Sequence, residues 1–215
     1  MTVEPYEKYV RNDDIRSDKM LDALFVPDNG YEYIKSELEK GFDVNTQIGN
    51  SGCTMISIIA PFLNNYNPEG YFDKTFDLIL SYHPNVNIQN KYGETALFEV
   101  IDHLRVIDVE DFIPRRIKKL LNHGASCLLK RKFFSFETNK YTDIKDIFQV
   151  LESNVSYIIE NDHYTPEFKQ QVLEREKIIY CLLRNRYCEE ITLFKLMIDD
   201  VDLNEITSNK RQRIN

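Results

Sequence analysis

Asn90-Lys91-Tyr92-Gly93-Glu94-Thr95-Ala96-Leu97 is the stretch of sequence that predicts the fold of this chain. Asn90 and Gly93 favour a turn, because Asn tolerates unusual backbone angles and Gly adopts positive φ without a steric cost. Thr95 then stands where a helix should begin, and its hydroxyl can accept a hydrogen bond from a backbone N–H of the first turn. A short helix is predicted next, and its apolar stripe consists of Leu97, Val100, Ile101 and Leu104.

A second helix is predicted after a charged segment. Pro114 is placed to open this helix, where its missing N–H costs nothing, and Gly124 is placed to end it as a C-cap residue. The buried stripe of the helix consists of Ile113, Ile117, Leu120 and Leu121. Residues 85–124 therefore form one self-contained unit of turn, helix, helix and glycine stop.

This unit resembles an ankyrin repeat. Asn90-x-x-Gly93-x-Thr95-x-Leu97 stands where that family has its turn and its Thr-Pro-Leu-His signature. Leu120-Leu121-x-x-Gly124-Ala125 matches the end of the family's second helix, and Asn85-Val86-Asn87 matches the link between repeats. The chain departs from the signature where Ala96 replaces Pro, Phe98 replaces His and Val100 replaces a small Ala.

A second unit with the same pattern precedes the first. Gly52-x-Thr54 lies 41 residues before Gly93-x-Thr95, whereas an ankyrin repeat has about 33 residues. The excess falls between the two helices of each unit, at about 64–71 and 105–112. These segments are predicted to project from neighbouring places on one edge as a joint secondary surface, with Tyr66 and Tyr71 on its aromatic side.

The resemblance implies an all-α ankyrin-repeat solenoid of stacked helix-turn-helix units. Residues 1–16 are then a lead-in, and 17–130 hold an amino-terminal cap followed by two recognisable repeats. Residues 131–206 are degenerate repeats or a helical cap, and 207–215 are a disordered tail. The degenerate, lengthened repeats look like those of ankyrin proteins from large DNA viruses or intracellular bacteria.

Three helices are predicted in the carboxy-terminal third. Asp143 is placed to cap the first, whose apolar side begins at Ile144. Thr165-Pro166 is placed to begin the second, which should end near Tyr187. The last contains Ile191, Phe194, Met197 and Ile198. As an alternative to a terminal repeat, residues 189–203 are similar to an F-box-like helix pair, although the usual Pro of that motif is absent.

Composition restricts the class of protein. The chain has 215 residues and a formal net charge of −8, which argues against general nucleic-acid affinity because a phosphate-binding surface needs a basic excess. It has no apolar run long enough to span a bilayer, and its amino terminus lacks the regions of a signal peptide. An intracellular monomer with no membrane contact is therefore expected. Lys210-Arg211-Gln212-Arg213 is either a short nuclear-import signal or a soluble end.

The titratable residues do not predict an enzyme. Neither a P-loop nor a Gly-x-Gly-x-x-Gly pattern occurs. The four cysteines match no zinc spacing and are expected to be free thiols. They are Cys53, Cys127, Cys181 and Cys188. The histidines stand near predicted helix ends rather than beside a nucleophile, so we expect no catalysis, no cofactor and no metal.

A basic island runs from Phe112 to Phe136, where the sequence has no Asp or Glu. Its charged residues are Arg115, Arg116, Lys118, Lys119, Lys130, Arg131 and Lys132. We expect the first four to form the solvated outer face of one helix. The last three are predicted on a turn tip beside Phe133 and Phe134, where either partner binding or plain solvation would explain them.

The resemblance implies a scaffold that binds a protein partner through turn tips and first helices, plausible as a host-interaction factor. Carried over position by position, this contact surface consists of Asn50, Ser51, Cys53, Lys91, Tyr92, Glu94, Asp102 and His103. The turn tip at Lys130, Arg131 and Lys132 adds to it, and Tyr92 is the strongest single candidate. Two alternatives remain open: an adaptor that couples a target to ubiquitin ligation through the F-box-like end, and nucleic-acid binding through the basic island.

Overall fold

The computed structural model describes residues 12–62, 70–105, 112–135 and 140–212. These residues are mostly helical, which confirms the predicted class at that level. The helices are α1 (Asn12–Ala23), α2 (Pro27–Glu39), α3 (Met55–Ile59), α4 (Tyr71–Ser81), α5 (Ala96–Asp102), α6 (Phe112–Asn122), α7 (Ile147–Glu160) and α8 (Pro166–Gln212). The strands are β1 (Gln47–Ile48), β2 (Cys53–Thr54), β3 (Lys130–Ser135) and β4 (Lys140–Asp146). No helix in these ranges is long and apolar enough to cross a membrane.

The helices pack as successive pairs. Helix α1 packs on α2, α3 on α4, α5 on α6 and α7 on α8. The first helices α3, α5 and α7 contact one another in order, while α2 contacts α4 and α6 contacts α8. The apolar stripes of these pairs merge into one buried cluster that extends from Met20 to Leu183. Each pair thus covers apolar surface that its neighbour would otherwise expose to water.

The second helices α2, α4 and α6 are each followed by a residue with a positive φ. The N–H of Gly124 (φ 86°) donates to Leu121 O and that of Ala125 donates to Leu120 O, both at 3.0 Å. This is a Schellman motif, so the predicted stop at Gly124 is confirmed. Gly41 (φ 85°) ends α2 with the equivalent two bonds.

His83 occupies the corresponding position after α4, and its φ is 53°. Its N–H donates to Leu80 O at 3.0 Å. The second bond of the motif cannot form, because Pro84 follows and has no N–H. A side chain in the left-handed region is strained, so this helix end is the weakest of the three.

We therefore predict that His83→Gly stabilises the protein by about 1 kcal/mol, since only glycine adopts this conformation without a steric cost. Urea denaturation followed by circular dichroism measures the change. His123→Gly is the matched control, because His123 precedes Gly124 and has no positive φ. That variant should lose about 0.5–1 kcal/mol. Equal effects of the two substitutions would show that the conformation of His83 carries no strain.

Helix starts agree only partly with the predictions. Thr54 is the N-cap of α3 and accepts from the Ser57 N–H at 3.4 Å. Thr95 is the N-cap of α5, as predicted, but its hydroxyl does not make the expected hydrogen bond to the first turn. Pro114 lies in the first turn of α6, as predicted. Helix α7 is capped by Asp146 in a capping box with Gln149, not by Asp143.

Strands β3 and β4 form an antiparallel hairpin that the sequence did not predict. Lys130 pairs with Asp146 and Lys132 pairs with Ile144, with a register irregularity between Phe133 and Phe134. Residue 144 therefore belongs to a strand, and its side chain is 68% exposed rather than buried on a helix. The hairpin takes the place where a third turn of the repeat pattern was expected.

Helix α8 begins at Pro166, where Thr165 Oγ1 accepts from the Phe168 N–H at 3.3 Å, as predicted. It then continues without a break to Gln212, so the end predicted near Tyr187 and the separate last helix are wrong. The F-box-like helix pair is wrong for the same reason. Residues 207–212, expected in a disordered tail, belong to this helix, while residues 213–215 lie outside the described residues.

The two predicted inter-helix loops lie largely outside the described residues, at 63–69 and 106–111. Tyr71, which was expected on their exposed aromatic side, is instead buried at the start of α4. Its hydroxyl donates a hydrogen bond to Ala23 O at the end of α1. This part of the predicted joint surface is therefore wrong.

Candidate functional site

The turns of successive units are joined by backbone hydrogen bonds. The Lys91 N–H donates to Ser51 O at 3.1 Å, and the Lys132 N–H donates to Tyr92 O at 2.8 Å. The second bond brings strand β3 onto the same edge of the molecule as the two turns. We call residues 49–52, 90–93 and 130–132 the turn row.

Two glutamines brace the turn row from one side. Gln47 Nε2 donates to Gly52 O at 2.6 Å within its own unit and to Gln89 O at 3.1 Å in the next. Gln89 Nε2 repeats both contacts, with Gly93 O at 2.7 Å and Lys130 O at 2.8 Å. The recurrence fixes each turn against the following one.

The central turn has little freedom. Asn90 Oδ1 accepts from the backbone N–H groups of Tyr92 and Glu94 at 2.9 and 3.0 Å, which is the local bonding that favours Asn at this place. Gly93 has a φ of 82°, and a Cβ there would lie 3.1 Å from Lys130 O and Arg131 Cα. Glycine is thus required both by conformation and by the approach of β3.

The residues predicted to contact a partner differ in accessibility. Those with exposed side chains are Asn50, Lys91, Lys130 and Lys132. Those that are half-buried are Ser51, Cys53, Tyr92, Glu94, Asp102 and His103. Arg131 alone is buried. The structure brings residues from two turns and from strand β3 into the turn row, so the turn tip predicted at residues 130–132 is a strand instead. Asp102 lies at the end of α5, and His103 is the C-cap of that helix.

Arg131 is a structural residue, and its predicted place on the partner surface is wrong. Its side chain is 7% exposed and lies over the Phe98 ring, 5.5 Å from the centroid. The guanidinium binds both oxygens of Asp102, with Nη2 at 2.9 Å from Oδ1, and it contacts Glu94 at 3.3 Å. Neighbouring residues of a strand point to opposite sides, so Arg131 faces inward between two outward lysines.

Asp102 also connects α5 to the next helix pair. Asn154 Nδ2, on α7, donates to Asp102 Oδ1 at 3.0 Å and to Ile101 O at 3.2 Å. The Asp102 carboxylate thus receives bonds from β3 and from α7. It is committed to the joint between units, which the position-by-position resemblance did not indicate.

Glu99 is a titratable residue of this joint that sequence reasoning missed. Burial raises the pKa of its carboxyl to about 7, with further contributions from the negative charges of Glu94 and Asp102 and an opposing one from Arg131. His103 Nδ1 lies 2.8 Å from the Glu99 carbonyl oxygen. The joint therefore gathers three carboxyl groups around one guanidinium.

We predict that stability falls as pH rises through this pKa. Folding raises the pKa of Glu99 from 4.5 to about 7. Between these pH values the folded state therefore binds more protons than the unfolded state does, so the free energy of unfolding falls as the pH rises. Glu99→Gln stays neutral and should remove this part of the slope. At pH 8 its free energy of unfolding should exceed that of the wild type by at most about 3 kcal/mol.

Denaturant unfolding of both proteins at several pH values measures this difference. Glu39→Gln, at an exposed position near the end of α2, is the matched control and should follow the wild-type profile. A Glu99→Gln profile parallel to that of the wild type would contradict the prediction.

Arg116 is a second buried arginine, so the prediction that it lies on the solvated face of α6 is wrong. Arg116 is 1% exposed and lies between the rings of Phe76 and Phe112, at 4.0 and 4.4 Å from their centroids. It donates to Asp73 Oδ1 at 2.8 and 3.2 Å and to Ile59 O at 3.3 Å. Burial lowers its pKa to about 10, against the opposing effect of Asp73. Arg115 and Lys118 are exposed, as expected.

The segments that follow the second helices are joined by side-chain hydrogen bonds, and the last of these segments is bound by α8. Asn45 Oδ1 accepts from the Asn85 N–H at 2.7 Å, and Asn87 Oδ1 accepts from the Ser126 N–H at 2.8 Å. At the next link Glu190 of α8 accepts from the Cys127 N–H at 2.9 Å. Burial, and then the charge of Glu190, raise the pKa of the Cys127 thiol to about 12.

Beyond this contact α8 carries exposed apolar side chains. Leu193, Phe194 and Leu196 are more than half exposed, and Phe194 reaches 58%. Ile191 is half-buried, whereas the side chain of Met197 lies outside the described ones. The partial exposure required by the adaptor hypothesis is met at Ile191 and Phe194, although the helix pair itself is absent from the described part of the chain.

Within the described ranges, no group of three or more His, Cys, Asp or Glu side chains could hold a metal ion. The four cysteines are free: Cys127 is buried, Cys53 is half-buried, and Cys181 and Cys188 are exposed on α8. Cys53 Sγ lies 3.2 Å from Ser51 Oγ and accepts from Asn90 Nδ2 at 3.5 Å. These contacts make Cys53 part of the connection between two turns.

No family model and no curated protein matches this chain. Its structure is similar to a chain in the solved complex of a predatory endopeptidase from Bdellovibrio bacteriovorus with an immunity protein. The identity is 23% and the TM-score is 0.40, over 63% of this chain and 57% of that one. The chain therefore spans less than two thirds of that neighbour, and a likeness at this TM-score supports no conclusion about function.

Proposed function

We propose that this chain is an ankyrin-repeat solenoid that acts, without catalysis, as a scaffold for an intracellular protein partner. The turn row and the accessible parts of the first helices would be its contact surface. The proposal is supported by the resemblance of residues 90–97 and 120–125 to the family's pattern, and by the recurrence of that pattern in consecutive helix pairs. A host-interaction role follows from the likeness to repeats of large DNA viruses or intracellular bacteria.

One observation carries the proposal: backbone hydrogen bonds connect Ser51 to Lys91 and Tyr92 to Lys132. Three segments from different units are thereby held in fixed register before any partner arrives. A surface that is already ordered loses less conformational entropy on binding than separate mobile loops would lose. The turn row thus combines rigidity with exposed side chains, as a binding surface requires.

The distribution of polar groups agrees with a surface rather than a catalytic cleft. Glu94 and Asp102 are bound by Arg131, so they support the joint beneath the row. Tyr92 is half-buried and Lys91 Nζ lies 5.0 Å from its ring centroid. An aromatic ring held in this way offers contact area with little loss of side-chain freedom, which is typical of residues that dominate binding energy.

The proposal is tested by site-specific photo-crosslinking. A benzophenone amino acid at Asn50, which is exposed in the row, should form a crosslink to a protein in cell extract. The same group at Lys74, which is exposed on α4, should not. Equal labelling from the two positions would contradict the proposal.

For the protein captured in this way, we predict that Tyr92→Ala weakens binding at least about tenfold, because truncation of a central aromatic contact typically costs more than about 1 kcal/mol. Calorimetry on the purified pair measures the affinity. Tyr82→Ala, at the half-buried C-cap of α4, is the matched control and should leave the affinity unchanged. An unchanged affinity of the Tyr92 variant would remove this residue from the contact surface.

A further inference from the structure

We propose that the turn row selects an acidic segment of its protein partner through Lys91, Lys130 and Lys132. This inference rests on the proposed function and assigns the chemistry of the partner that the row would take. It also explains why basic residues gather on one edge of a chain whose net charge is −8.

The two sides of strand β3 carry basic residues with different roles. Lys130 and Lys132 are exposed, while Arg131 between them is buried in the joint with Asp102. The alternation of a strand requires this division, because residues two apart point to the same side. The two lysines are thus directed outward by the same strand that fixes Arg131 inward.

Lys91 brings a third ammonium group to the same surface. Its Nζ donates to Asn50 O in the preceding turn at 2.9 Å, and it lies 5.0 Å from the Tyr92 ring centroid. A cation close to an aromatic face is held by the charge distribution of the ring. Lys91 is therefore fixed at the surface with a hydrogen-bonding capacity that exceeds its single bond to Asn50, since an ammonium group has three donors.

The positive charge of the row is not cancelled locally. Among the described residues, no carboxylate forms a salt bridge with Lys91, Lys130 or Lys132. The carboxylate of Asp146, which lies opposite Lys130 on β4, caps α7 by accepting from the N–H groups of Phe148 and Gln149. The carboxylates of Glu94 and Asp102 are bound by Arg131. Segments joined by backbone hydrogen bonds lie about 5 Å apart. The three lysines therefore belong to neighbouring segments within about one Debye length at physiological ionic strength, so their fields reinforce one another.

An acidic protein segment fits this surface better than nucleic acid does. Double-stranded DNA carries about one charge per 1.7 Å and would be repelled by the remaining surface of an acidic chain. A short run of Asp and Glu brings fewer charges and can be confined to the row. Among the residues that define the turn row, Tyr92 is the one aromatic ring, so the row itself offers one stacking position, whereas binding of single strands uses several.

Fluorescence anisotropy with a fluorescein-labelled peptide of about ten residues, alternating Glu and Ser, tests the inference. The peptide should bind at about 50 mM NaCl and lose most of its affinity at about 300 mM. A peptide with Gln in place of Glu should bind at least about tenfold more weakly. An absence of Glu-peptide binding at low salt, or equal binding of the two peptides, would overturn the inference.

A charge-matched pair of variants locates the binding. K91Q/K130Q/K132Q removes three positive charges from the row, and K74Q/K118Q/K177Q removes three from exposed positions on α4, α6 and α8. We expect at least about a tenfold loss with the row variant and little change with the control. Equal losses would show a general charge effect and overturn the inference, as would selective binding of a thymidine oligonucleotide in place of the peptide.

The same variants separate this inference from the proposed function. If the row variant binds the protein captured through Asn50 as tightly as the wild type does, the acidic-partner inference is wrong and the scaffold proposal stands. If Asn50 captures no protein and the Glu peptide does not bind, both are wrong.

Discussion

The backbone hydrogen bonds that join the two turns to each other and to strand β3 are the constraint on which the rest of the structure depends. A turn exposes backbone N–H and C=O groups that cannot be paired within it, and such groups are costly to bury alone. Here Ser51 O receives the N–H of Lys91, and Tyr92 O receives the N–H of Lys132. Because each turn precedes a pair of helices, these bonds set the spacing and register of the pairs. Burial of the apolar stripes then follows in that register.

The same spacing decides which charged residues support the fold. Arg116 and Arg131 each reach back to the preceding unit, where they bind Asp73 and Asp102. Both guanidinium groups lie against aromatic rings, so the charge is paired and the planar group is packed. A basic residue that lacks such a place remains at the surface. The basic island of the sequence therefore contains two buried arginines that connect neighbouring units, and its other described charged residues are accessible.

Backbone groups near the carboxy-terminal helices also need hydrogen-bond partners, and side chains of α8 provide them. The segment after α6 has a carbonyl oxygen at Ala125 and an N–H at Cys127 that need hydrogen-bond partners when they are buried. Helix α8 satisfies them with side chains, since Arg186 donates to Ala125 O at 3.2 Å and Glu190 accepts from Cys127 N–H at 2.9 Å. Beyond these contacts α8 carries the exposed apolar side chains of Leu193, Phe194 and Leu196.

The sequence by itself determined the features that depend on neighbouring residues. Gly93, Gly124 and Thr165-Pro166 act through their own backbone preferences, so the turn, the helix stop and the start of α8 could be predicted. The break predicted in α8 near Tyr187 was wrong, and the sequence has neither Gly nor Pro after Pro166 to cause one. Only the tertiary structure decided that Arg131 is buried and that 130–135 pair with 140–146 as antiparallel strands. Both depend on Tyr92 O and the Asp102 carboxylate, which reach β3 only when the units stack.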